Sequence, residues 1–160
     1  MPFVYGVVPA VNFTTSGTPN TEIDALFVAP GARTMYLTHI QMQGKGANLT
    51  SLSGIIQRLK RWFTTAAAGG TAITPAPRAQ NAPAATSTAG QATAGVTPGT
   101  GGPTPQLIVG CSASGPGSWD YLNNNDVAPE VDGSATQSLD LFNSSGTASL
   151  VFETAVDIQE

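Results

Sequence analysis

Along much of this chain apolar and polar positions alternate with a period of two, in short runs separated by Gly, Pro and Asn. A strand sends successive side chains to opposite faces, so this pattern predicts half-buried β-strands. Residues 148–158 show it most clearly: Leu150, Phe152, Thr154 and Val156 share one face, and Val151, Glu153, Ala155 and Asp157 the other. Residues 33–43 set Tyr36, Thr38, Ile40 and Met42 against Met35, Leu37, His39 and Gln41. Residues 138–142 set Leu139 and Leu141 against Asp140 and Phe142, and 143–146 read as a hairpin-like turn after them. Residues 22–28 form a further strand, closed by Ala29-Pro30-Gly31, and 106–111 a short apolar one. Residues 3–13 carry Pro9 near their middle, and a proline cannot donate to a ladder, so they predict an edge strand or an arm reaching outward.

Residues 55–74 allow two readings. At period two, Ile55, Gln57, Leu59, Arg61 and Phe63 share one face, and Ile56, Arg58, Lys60 and Trp62 the other. At period 3.6, Leu52, Ile55, Ile56, Leu59 and Phe63 line one side of a helix. The strand is favoured, because Gly69-Gly70 reads as a tight turn and 71–74 as its return segment. Residues 75–105 are rich in Ala, Thr, Pro and Gly and poor in large apolar groups. They predict an extended excursion from a single domain rather than a linker, because neither flank alone supplies a sufficient core. The expectation is therefore one all-β domain over 1–160, an antiparallel sandwich or barrel in a jelly-roll-like order.

Only 10% of the residues are charged, and they are segregated. Every Lys and Arg lies at Arg33, Lys45, Arg58, Lys60, Arg61 or Arg78, whereas eight of the ten acids fall between Asp120 and Glu160. A surface so sparsely charged is poorly defended against association, which points to a homo-oligomer. The segregation fits basic and acidic strands side by side, or complementary faces on copies or partners. Six cations in a chain of net charge −4 argue against nucleic acid. No apolar run approaches a membrane span, and the first residues do not read as a secretion leader.

Candidate chemistry is thin. The chain has one histidine, His39, and one cysteine, Cys111, so neither a nucleophile–base pair nor a set of soft zinc ligands is at hand. His39 reads as a sheet histidine and Cys111 as a buried thiol. Asp120, Asn123, Asn125, Asp126, Glu130 and Asp132 are hard oxygen ligands, but their spacing is not that of a calcium loop. The sequence thus predicts no enzyme, no cofactor and no metal. The best binding candidate is Arg58, Lys60, Arg61 and Trp62, since Trp and Arg are enriched at interface hot spots. Trp62, Trp119 and Tyr121 would serve a second reading, a carbohydrate-binding or adhesin-like module.

The aromatic-basic run Arg58-Leu59-Lys60-Arg61-Trp62-Phe63 is followed by Gly69-Gly70-Thr71-Ala72-Ile73-Thr74-Pro75-Ala76-Pro77 and then by Ala82-Pro83-Ala84-Ala85. With the closing strand Ala148-Ser149-Leu150-Val151-Phe152-Glu153, this order of features resembles the decoration or cement proteins of tailed-bacteriophage heads. The resemblance implies a virion protein, made in the host cytoplasm, that sits on the capsid surface. It further implies a trimer in contact with the major capsid protein.

Overall fold

The computed structural model of the protein describes residues 2–16, 21–45, 54–62, 64–97, 100–101, 107–112, 116–120, 129–133, 136–143 and 148–160. Among them every regular element is a strand: β1 (Val4–Val7), β2 (Phe13–Ser16), β3 (Thr21–Ala29), β4 (Met35–Lys45), β5 (Gly54–Trp62), β6 (Ala68–Ile73), β7 (Ala76–Pro77), β8 (Thr88–Thr97), β9 (Leu107–Ser112), β10 (Gly117–Asp120), β11 (Glu130–Val131), β12 (Ser138–Asn143) and β13 (Ala148–Gln159). All pair antiparallel, in two sheets. Sheet A runs β10-β4-β13-β1-β7, with β11 on β4 and β2 on β13; sheet B runs β6-β8-β3-β12-β5-β9.

Within these sheets lies the eight-strand order of a jelly roll. One four-strand row is β10-β4-β13-β1 and the other β3-β12-β5-β9. In chain order the path alternates between the sheets except at β5 and β9, which pair with each other. Everything between those two strands is an insertion, and it holds the Ala/Thr/Pro/Gly-rich stretch. The stretch is not merely draped outside: β6 and β8 widen sheet B at β3, while β7 crosses to sheet A and pairs with β1.

The core lies between the sheets. Met35, Leu37, Ile40 and Met42 of β4 and Leu150, Phe152, Val156 and Ile158 of β13 meet Leu26 and Val28 of β3 and Leu139 and Leu141 of β12. On β13 the predicted alternation holds from Leu150 to Ile158. On β4 it breaks, because Thr38 is an extra residue: His39 pairs with Asp157 and Leu37 with Ile158. The bulge shifts the phase by one, so Met35 and Leu37 before it and Ile40 and Met42 after it all turn inward.

Several local expectations are corrected. Gly69 and Gly70 are not a hairpin turn; both have positive φ, 89° and 71°, inside β6, where the register with β8 shifts. Glycine provides the left-handed backbone that a bulge needs as readily as the one a turn needs. The turn predicted at 143–146 lies, from residue 144 on, outside the described residues; the strands on either side of it, β12 and β13, belong to different sheets, B and A. Residues 55–62 are strand, not helix. The N-terminal segment is not free: β1 and β2 both pair with β13, and the chain leaves the ladder only between Val8 and Asn12, around the buried Pro9.

Candidate functional site

The two outer faces of the sandwich differ. After β5 the chain must reach β6 at the far edge of sheet B, and after β8 it must return to β9. The described parts of the two connections, 64–67 and 100–101, meet on the outside of that sheet: Thr65 bridges to Thr100, and the Thr64 amide donates to the Thr100 carbonyl at 3.1 Å. Gly101, at φ 74°, packs so tightly on Thr64 that a β-carbon would collide with its hydroxyl.

Beneath this strap β12 is buried on both faces. Ser138, Asp140 and Phe142, which point away from Leu139 and Leu141, are at most 4% exposed. The Ser138 hydroxyl accepts from the Ala67 amide at 3.0 Å and donates to the Asp140 carboxylate at 3.0 Å. A buried polar group of this kind is tolerated only when its hydrogen bonds are made.

The basic candidates stand on β5, next to this covered row. Register sets Trp62 opposite Ser138, Arg61 opposite Leu139, Lys60 opposite Asp140 and Arg58 opposite Phe142. Lys60 is thus the cross-strand neighbour of a buried carboxylate. β5 is described through its backbone, and the surface presented by the four side chains is not.

The outer face of sheet A is open and polar. The Thr38 bulge brings His39 between two acids in register, Asp157 on β13 and Asp120 on β10. His39 Nδ1 lies 3.9 Å from Asp120 Oδ2, too far for a hydrogen bond. Asp157 Oδ1 accepts instead from Arg78, at 3.1 Å from Nε and 2.5 Å from Nη2. Farther along, Lys45 Nζ lies 3.0 Å from Glu153. A shallow concavity of about 270 Å³ lies among Val8, Gln41, Gln43, Arg78, Glu153 and Ala155. These ion pairs are half-exposed, of the kind that contributes about 0–1 kcal/mol each.

Cys111 ends up in the core at the other edge, and burial pushes its thiol up, with a backbone hydrogen bond from Gly44 acting against that. His39 and Cys111 therefore occupy different environments and do not form a pair. Among the described residues no group of three or more His, Cys, Asp or Glu could hold a metal ion. Asp120, Glu130 and Asp132 are separated onto β10, β11 and the residue after it, and residues 121–128, which include Tyr121, lie outside the described residues. Trp119 is half-buried and packs against the core.

The sequence reading passed over Glu160. Its carboxylate accepts from the Thr86 amide and hydroxyl, both at 2.9 Å, and from the Ser87 amide at 2.7 Å. Burial alone would raise its pKa, but the hydrogen bonds from Ser87 and Thr86 outweigh it and hold the group below the ordinary carboxylate value. Arg78 was passed over as well, though one signal was available: it is the single charge between residues 64 and 106. A lone cation in a neutral stretch points to an acid elsewhere in the fold.

No family model, no curated protein and no solved structure matches this chain. The class defined by the fold is thus an all-β jelly-roll sandwich with one strapped face and one open, polar face.

Proposed function

We propose that the protein is a non-enzymatic virion structural protein that binds the major capsid protein at the capsid surface as a cement or decoration protein, acting as a homo-oligomer with a trimer favoured. One observation carries the reading. Residues 68–84 are exposed throughout except Ile73, Pro75 and Ala82, and they contain a single charge, Arg78, already paired with Asp157. So long an ordered, uncharged surface is a liability for a free protein and an asset for one that assembles. The jelly roll is compatible with this role, being used by capsid and lectin domains alike. For a sugar-binding module, Trp119 offers only part of its ring, the rest being packed on the core.

The test is to add the purified protein to heads of the encoding virus assembled without it. Saturable sedimentation with the heads, and heads that then resist heating, is the expected outcome. Protein that stays in the supernatant at micromolar concentration would overturn the reading.

A further inference from the structure

Residues 76–87 pose a physical question: they bury little, yet they are tied down along their whole length. β7 pairs with β1, and the Arg78 amide donates to the Val4 carbonyl at 2.8 Å. The Arg78 guanidinium holds Asp157, the Tyr5 hydroxyl donates to the Pro83 carbonyl at 3.2 Å, and Glu160 clasps Thr86 and Ser87. Between these ties the chain turns at 79–82, closed by the Ala82 amide on the Ala79 carbonyl at 3.1 Å. Ala79, Gln80, Asn81, Pro83 and Ala84 are all exposed. Ordering a residue costs about 1–2 kcal/mol of conformational entropy, and burial in this turn returns little of it. The return that remains is at a partner, where a preformed turn loses no further freedom on docking.

We propose that the turn at 79–84 is the docking element of the protein, and that its partner is an uncharged polar protein surface. This rests on the capsid reading above, where that surface belongs to the capsid protein. The chemistry excludes other partners. Nucleic acid or an anionic lipid surface demands free cations, and the one cation of this segment is committed to Asp157. A sugar would want an aromatic platform, and residues 76–87 contain no aromatic ring. Gln80 and Asn81 instead offer amide donors and acceptors to a polypeptide backbone, between the apolar shoulders of Pro77 and Pro83. The strap on sheet B favours this side as well, since it covers the middle of the opposite face.

The experiment compares wild type, Gln80→Glu, Ala84→Glu and, on the open face of sheet A, Gln41→Glu, which stands opposite the uncharged Ala155 and Ser118, each for sedimentation with heads lacking the protein. The two turn variants are expected to bind about tenfold or more weakly at unchanged melting temperature, and Gln41→Glu like wild type. Amide exchange at 79–84 should slow when wild type meets the heads. Turn variants that bind like wild type, or no slowing at 79–84, would overturn the inference and leave the capsid reading standing. Wild type that ignores the heads removes both.

Discussion

Phe13 of β2 and Phe152 of β13 stack with ring centroids 5.2 Å apart and planes 17° from parallel. The pair stands directly opposite in register and closes one end of the core, with Phe152 fully buried. It also returns the N-terminal segment to the sheet after the excursion around Pro9. Phe152→Ala should therefore cost about 3–5 kcal/mol, the range for losing a buried aromatic side chain. Urea denaturation measures this, and a loss below about 1 kcal/mol would mean the site collapses without a cavity.

Ser149 sits at φ 62°, where the register between β13 and β2 shifts. A side chain in the left-handed region costs about 1–2 kcal/mol, and glycine avoids that cost. Because Ser149 is exposed, Ser149→Gly should raise the melting temperature, whereas Ser149→Val should lower it. A fall with glycine would show that the serine side chain supports the bulge.

Glu160 has its pKa lowered in the folded state, so the folded protein favours the carboxylate more than the unfolded chain does. The stability this contributes is present above the ordinary value of 4.5 and is lost as pH falls through the lowered one. Glu160→Gln should therefore melt below wild type near neutral pH, and the gap should close as the pH falls below 4.5 and through the lowered value. A gap independent of pH would assign the loss to packing rather than charge.

Register places Lys60 opposite buried Asp140, and like charges set directly across two strands repel. Lys60→Glu should consequently destabilise the fold itself, before any effect on docking. Ser138→Ala should cost about 1–3 kcal/mol, because it deprives the Ala67 amide of its acceptor. Both are read by thermal melting, and faster amide exchange at Ala67 would report loosening of the strap. A fully stable Lys60→Glu protein would return that position to the list of docking candidates.

Although residues 55–63 also allowed a helix, period-two alternation pointed to an all-β chain and assigned the two faces of β13. Those faces meet different solvents, one the core and one water, so selection for each is written in the residues themselves. What tertiary structure alone decided is how elements distant in the chain cover one another. Asp140 reads as a solvent-facing strand acid, yet the strap from 64–67 buries it, and nothing in residues 138–142 records that crossing. The inward turn of both halves of β4 depends on an extra residue at Thr38, which local alternation cannot register because the count is made against β13. Gly69-Gly70 allows a turn or a bulge equally, since glycine supplies only the conformational freedom. Pairing with β8 chose the bulge.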